Sequence, residues 1–382
     1  MKTIPYARQS LNNDDIREAV KALKSDWITQ GPRIKMFEEA LSRYTGARYA
    51  VALSSGTAAL HLAMLALGIG KGDKVITAPI TFSASASCAL YVGARPAFVD
   101  INDRDYHIDV EKLKSFLSVP SRRKGVKAVV PVHLTGTVCR MEEIKKVCDR
   151  YGIKIVEDAA HALGAWYRTG SLKAKVGGSK HSNATIFSFH PIKHITTGEG
   201  GAFLTNSKMM FETVGRLRHH GIVKKGAGPW SYDIPSIGYN YRITDFQSAI
   251  GMSQLKKLDS MVNTRRSIVD LYNEHFAHVS EIRTPWERER TRASYHLYVI
   301  RVPSNKRGKL YDHLKSNGIL TQVNYAPVHL FSYYRKHFGY RSGDLPVAER
   351  YARECLSLPL YIGLTRSAQL RVIRKVKEFF AR

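Results

Sequence analysis

The chain has 382 residues, 44% of them hydrophobic, and carries 59 Lys and Arg against 32 Asp and Glu, a formal net charge of +27. That length leaves room for two or three domains with a substantial core, while Cys88, Cys139, Cys148 and Cys355 show neither CxxC spacing nor a histidine in finger register, which argues against a metal centre or a disulfide framework. The basic excess raises nucleic-acid binding, but its densest clusters (residues 121–127, 304–309 and the terminal RVIRKVKEFFAR) come without a zinc-finger, RNP-like or helix-turn-helix pattern, so a solvated basic surface that also attracts small anions is the plainer reading.

In chain order, the start MKTIPYARQSLNNDD has no apolar run of the secretory kind, which leads us to expect a cytoplasmic protein. A helix is predicted over residues 14–24. The stretch VALSSGTAALHLAMLALG, residues 51–68, opens on a small polar turn and continues as a helix from near Thr57. There Ser55, Gly56 and Thr57 would present free N–H groups to an anion, or simply cap the helix. Ser54, Ser55, Thr57 and His61 interrupt the apolar run, so no membrane span is expected. Short β-branched runs at residues 74–78, 96–99, 128–132 and 153–156 alternate with helical stretches as far as Thr205, the pattern of a largely parallel sheet covered on both faces.

The run IKIVEDAAHALGA, residues 153–165, ends its strand on Glu157 and Asp158. Ligands of open α/β sheets bind beyond the carboxyl ends of the strands. An acid placed there either caps a helix or pairs with a protonated pyridine nitrogen, as in pyridoxal phosphate (PLP) sites. Thirty-five positions on, FSFHPIKHITTGEGG holds Lys193 in a turn between apolar runs 184–189 and 200–205. A lysine fixed and desolvated in such a turn can form a Schiff base, because the neutral amine is the nucleophile. Beyond it, residues 221–236, with Gly226, Gly228, Pro229 and Pro235, read as a loop bordering the site. A long helix is expected from Asp245 toward His275, then a strand over residues 295–302, a helix over 310–316 stopped by Gly318, and a final helix capped by Thr365.

Taken together, SSGTAALHLA, APITFSASA, VVPVHLTG, VEDAAHALGA, SFHPIKHITTGEGG, LRHHGI and GYNYRITDFQSAIGMSQL resemble, in order, the DegT-type sugar-nucleotide aminotransferases of the fold-type I PLP enzymes. Within that family the likeness runs to the transaminase of the pseudaminic acid pathway, which makes a UDP-4-amino-4,6-dideoxy-N-acetyl sugar. The resemblance implies a large, mostly parallel-sheet PLP-binding domain (residues 1–250) and a smaller C-terminal α/β domain (251–382). It implies that Lys193 holds PLP and moves a proton, that Asp158 faces the pyridinium nitrogen, and that Gly56, Thr57 and Ser188 bind the phosphate. Phe82 matches a ring-stacking aromatic, with core packing as the other reading; His161 matches a ring contact or a structural histidine. Asn240 matches a residue that reaches the phosphate of a neighbouring subunit, implying a homodimer with shared sites, and Arg242 in the same motif would steady that loop, with contact to an anionic group as the other reading. His133 and His329 fall near the expected acceptor pocket. The implied partners are an amino-acid donor, glutamate, and a nucleotide-sugar acceptor. A dehydratase branch carries His in place of the PLP lysine; His194 lies beside Lys193, but the motif keeps Lys193 in register. Two alternatives stand: PLP-dependent sugar dehydration, and a non-catalytic nucleic-acid-binding regulator on the same scaffold.

Overall fold

The computed structural model describes residues 3–228 and 230–381; Pro229, counted above with the 221–236 loop, lies outside them, as do the terminal Met1, Lys2 and Arg382. Seven strands form the main sheet: β1 (Tyr49–Leu53), β2 (Lys74–Thr77), β3 (Arg95–Phe98), β4 (Val126–Val130), β5 (Lys154–Asp158), β6 (Ala184–Ser188) and β7 (Gly201–Thr205). Their order is β1-β7-β6-β5-β4-β2-β3. Only β7 runs against its neighbours, pairing antiparallel with β1 and β6, while the remaining pairs are parallel. The sheet is therefore mostly parallel, as the alternating runs predict, with one reversed strand supplied by the Gly-rich return after Lys193. The carboxyl ends of β1 and β6 consequently meet the start of β7, where Leu53 and Ser188 both pair with Gly201.

Both faces of the sheet are covered, because successive residues of each strand point to opposite sides. Val51, Leu53, Ile186 and Phe203 pack on the helix Gly56–Ala66 through Leu60, Ala63 and Met64. Their neighbours Ala50, Ala52, Phe187, Ala202 and Leu204 pack on Phe37, Leu41, Leu255 and Leu258. Phe187 and Phe203 are fully buried, and truncating either to Ala would cost about 3–5 kcal/mol through lost transfer energy and the cavity left behind.

The N-terminal helix Asn13–Leu23 begins with a capping box of Asn12 and Asp15. Buried Asp15 also accepts hydrogen bonds from Ser253 Oγ (2.6 Å), Gln254 Nε2 (2.6 Å) and Lys257 Nζ (2.7 Å), which clamps this helix to Asp245–Lys256. The single long helix expected from Asp245 is two, Asp245–Lys256 and Leu258–Phe276. The break falls at Lys257, whose amine is drawn to Asn12 and Asp15. The second helix joins two cores: Leu258 and Val262 lie under the main sheet, and Val269, Tyr272 and Phe276 pack with Tyr298, Leu310 and Leu356 in the C-terminal unit. That unit pairs Tyr298–Arg301 antiparallel with Cys355–Leu358 beneath Ser304–Ser316 and Arg366–Phe380. Thr365 caps the last helix, accepting the Ala368 N–H at 3.3 Å, and Gly318, at φ +69°, follows the end of Ser304–Ser316. Two small sheets were not expected: Trp166–Thr169 with Leu172–Lys175 and Thr291–Arg292, and Val223–Lys224 with Tyr232–Asp233 inside the 221–236 stretch.

Candidate active site

Turns at the carboxyl edge of the sheet enclose a cavity of about 550 Å³. After β1, Ser55 caps the helix Gly56–Ala66, its Oγ accepting the Ala58 N–H at 3.0 Å. Gly56 and Thr57 occupy the first turn, where backbone N–H groups have no intrahelical acceptor, so the positive end of the helix opens on the cavity. Gly201 passes close behind: a Cβ there would stand 2.4 Å from the Gly56 nitrogen. A Cβ on Gly56 would press to 3.1 Å from Ser188 Cβ. These glycines let the helix start, the β6 end and the β7 start converge, leaving space that a side chain would fill.

Asp158 ends β5 and is buried. Its backbone is pinned on both sides, N–H to Pro131 O at 2.9 Å and carbonyl to the His133 N–H at 3.0 Å. Its carboxylate is oriented by the Ser85 hydroxyl, which donates to Oδ2 at 2.5 Å, and by the Ala160 N–H, which donates to Oδ1 at 3.1 Å. Ser85 in turn lies 2.7 Å from Thr81 Oγ1. The negative charge is thus fixed in direction before any ligand arrives.

Lys193 sits in the turn between β6 and β7, its N–H bonded to His190 O at 2.9 Å. Its amine lines the cavity 3.5 Å from His296 Nε2. Burial lowers the amine from its ordinary 10.5 to about 8, against an opposing pull from Asp158. At pH 7 roughly a tenth of the amine is then neutral, a several-hundredfold gain over an unperturbed lysine. Phe82, 60% exposed, stands at the rim with its ring 6.4 Å from that of Tyr325. His161 is buried in the wall, Nε2 being 3.2 Å from the Tyr325 hydroxyl. The structure therefore gathers Gly56, Thr57, Phe82, Asp158, His161, Ser188 and Lys193 around one space.

His133 and His329 are not part of it. His133 is fully buried: Nδ1 accepts the Cys139 N–H at 3.1 Å, which leaves the ring proton on Nε2, 2.8 Å from Glu157 Oε2. His329, equally buried, lies 3.2 Å from Glu349 Oε1. Each histidine leans on a carboxylate, and neither lines this chain's own cavity. Asn240 is exposed and lies outside this chain's own cavity. Its loop is tied to the β1 turn by the Ser54 N–H, which donates to Tyr241 O at 2.9 Å, and Arg242 donates to His219 Nδ1 at 2.9 Å. His194 turns away from the cavity, 3.2 Å from the Ser294 carbonyl. Sequence reading missed Ser85, His296 and Tyr325. Ser85 lies one helical turn after Phe82, where a hydroxyl facing Asp158 was a findable signal; the other two come from the C-terminal third of the chain.

A match to the DegT/DnrJ/EryC1/StrS aminotransferase family spans residues 9–377. The chain is 37% identical to the spore coat polysaccharide biosynthesis protein SpsC of Bacillus subtilis, over 98% of this chain and 96% of that one. It is 38% identical to a UDP-4-amino-4,6-dideoxy-N-acetyl-beta-L-altrosamine transaminase of Campylobacter jejuni, over 94% and 92%. Among solved structures it superposes on Helicobacter pylori PseC, an aminotransferase of pseudaminic acid biosynthesis, with TM-score 0.91 and 31% identity over all of both chains. DesV of S. venezuelae, solved with a ketimine intermediate, gives TM-score 0.89 and 31% identity, again over both whole chains. The chain belongs to the DegT/DnrJ/EryC1/StrS aminotransferase family.

Proposed function

We propose that this protein is a PLP-dependent aminotransferase that takes the amino group of L-glutamate and delivers it to C4 of a nucleotide-linked 4-keto-6-deoxy sugar bearing an N-acetylamino group. The observation that carries this reading is one cavity in which a lysine with a lowered pKa, an oriented buried carboxylate and an open helix N-terminus meet. Those groups fit PLP: the Gly56 and Thr57 N–H groups and the Ser188 hydroxyl suit a phosphate, Asp158 suits a pyridinium nitrogen, and Phe82 suits a ring face. When bound, PLP supplies an electron sink for the carbon that loses or gains the amine.

This chain's own residues do the rest. Asp158, held by Ser85 and Ala160, keeps a fixed negative charge where a cationic ring nitrogen would form. Lys193 holds or releases a proton at Nζ, and its pKa near neutrality suits both directions of transfer. His161, Tyr325 and Tyr6 enclose the space and limit water. Lys193 lines the cavity while His194 turns to a backbone carbonyl, which supports amination over the dehydratase chemistry that would need a histidine in place of that lysine. The named activities of the Campylobacter and Helicobacter relatives support the UDP-linked acetamido sugar of the pseudaminic acid pathway as acceptor. Exposed Asn240, with the exposed Trp230 and Ile237 nearby in the chain, supports a homodimer in which Asn240 serves the partner's phosphate. No described helix is long and apolar enough to cross a membrane.

The test is the visible absorption of the PLP-loaded protein, with product mass read in parallel. L-Glutamate should bleach the cofactor band, and a UDP-4-keto-6-deoxy-acetamido sugar should restore it and gain an amine. A band indifferent to every amino donor, with loss of water from the sugar, would replace this reading with dehydration.

A further inference from the structure

The wall behind Lys193 contains three buried histidines, to none of which the chemistry above gives a proton or a bond to Lys193. His161 and His296 face each other with ring centroids 4.3 Å apart, and His194 lies 5.8 Å from His296. Each ring has a buried Nδ1 that meets no hydrogen-bond partner among the described residues. Beneath them Arg265, also buried, extends from the helix Leu258–Phe276 to the carbonyls of Tyr295 and His296 at 3.4 Å and of Leu360 at 3.3 Å. No ion pair is found for Arg265 among the described residues.

We propose that His296 is the positioning residue of Lys193, a partner that changes tautomer as the amine loses its proton, so that Nε2 accepts from the ammonium and Nε2–H holds the lone pair of the neutral amine. The geometry supplies the reason. When Lys193 is an ammonium, His296 Nε2 must accept, and the ring proton sits on Nδ1. When Lys193 is neutral, Nε2–H can donate to the amine's lone pair, and Nδ1 is bare. The two states differ by one proton, which leaves to solvent. A second partner on Nδ1 would lock one tautomer and forbid the exchange, as Cys139 locks His133. The vacant Nδ1 of His296 leaves both open.

The surroundings keep the ring neutral throughout. His296 is faced by Lys193 and His194 from the β6–β7 turn, His161 from the segment after β5, and Arg265 from below; Asp158 and Tyr325 act one step further out, on Lys193 and His161. Burial, Lys193 and the neighbouring histidines hold the His296 imidazole well below its ordinary range. A neutral ring can serve as donor or acceptor; an imidazolium could only donate. This inference rests on Lys193 being the reacting amine.

The first test needs neither cofactor nor variant beyond one for assignment. In the cofactor-free protein with 15N-labelled histidine, the His296 ring nitrogens should exchange tautomer between pH 6 and 10, with the midpoint of Lys193, about 8. His296→Gln, whose amide can also donate or accept by rotating, identifies the resonance. A tautomer unchanged across that range would overturn the proposal, whatever reaction the enzyme performs. The second test is kinetic. His296→Phe should lower kcat by roughly tenfold to a hundredfold with KM for both substrates nearly unchanged, and His296→Gln should recover most of it. Gln failing as badly as Phe would mean that the ring packs and does not position. Tautomer exchange in a protein lacking transaminase activity would uphold the coupling and remove only the reaction assigned to it.

Discussion

Two sets of buried histidines lie within the same α/β frame and behave in opposite ways. His133 and His329 each lean on a carboxylate, Glu157 and Glu349, and each carboxylate takes further bonds from its own neighbourhood. Among the described residues no acid forms an ion pair with His161, His194 or His296; they face Lys193, one another and Arg265, which is held by backbone carbonyls. The first arrangement anchors charge and fixes backbone. In the second, burial and the neighbouring cations keep the His296 imidazole neutral, and burial, opposed by Asp158, brings the lysine amine close to losing its proton. The role of a buried histidine is set by its partner, and here the partners come from distant parts of the chain.

The largest expected effect lies on the cavity side. Lys193→Ala should reduce transamination by about 10⁴-fold or more, since both nucleophile and proton carrier are lost, with circular dichroism unchanged; residual turnover near the wild-type rate would remove Lys193 from the reaction. Asp158→Asn preserves shape and removes the charge, and should cost on the order of 10²–10³ in kcat/KM. An effect below threefold would mean that the Ser85–Asp158 pair is a structural strut. On the other side, His133→Ala leaves Glu157 buried without its main donor. Burial pushes the Glu157 carboxyl up, and hydrogen bonds from His133, Ser182 and Thr185 overcome this and hold it below its ordinary range. The variant should lose about 3 kcal/mol of stability in urea unfolding while surviving folded molecules keep their activity. If activity per folded molecule fell a hundredfold with stability intact, the two histidine sets would not differ as described.

Much of the cavity was legible because its residues lie within a few positions of a strand end. Gly56, Thr57, Asp158, Ser188 and Lys193 belong to short motifs in which apolar runs stop and small or charged residues begin. The sheet was legible for the same reason, since β-branched runs reveal buried parallel strands. What was hidden depends on long-range partners. His296 meets Lys193 across 103 positions, and Tyr325 meets His161 across 164. The break at Lys257 depends on Asp15, 242 positions earlier, and no glycine or proline marks it. An isolated histidine reads the same in a structural or a binding role, and the Glu157 and Glu349 partners of His133 and His329 come from 24 and 20 positions away.

The smallest of these effects separates the two regions by the sign of their contribution to stability. In the unfolded chain Lys193 keeps its proton up to about 10.5, and in the fold only to about 8. Between those values folding releases a proton, so this group's contribution improves as pH rises through the window. Below pH 8 the fold carries the full cost of a desolvated ammonium, at most about 3 kcal/mol and less by whatever solvent reaches the partly exposed residue. Lys193→Met removes the charge at similar length and should therefore melt higher than the wild type at pH 7, with the gap closing toward pH 10. Other lysines titrate in both proteins and cancel in the difference. The Glu157 side has the opposite sign: its depressed carboxyl stabilises at neutral pH, and that contribution is lost in acid as pH falls below the unfolded carboxylate range and through the folded value. A Lys193→Met gap that does not change with pH would show that the amine is not perturbed in the folded protein, and the contrast between the two sets of histidines would then have no chemical consequence.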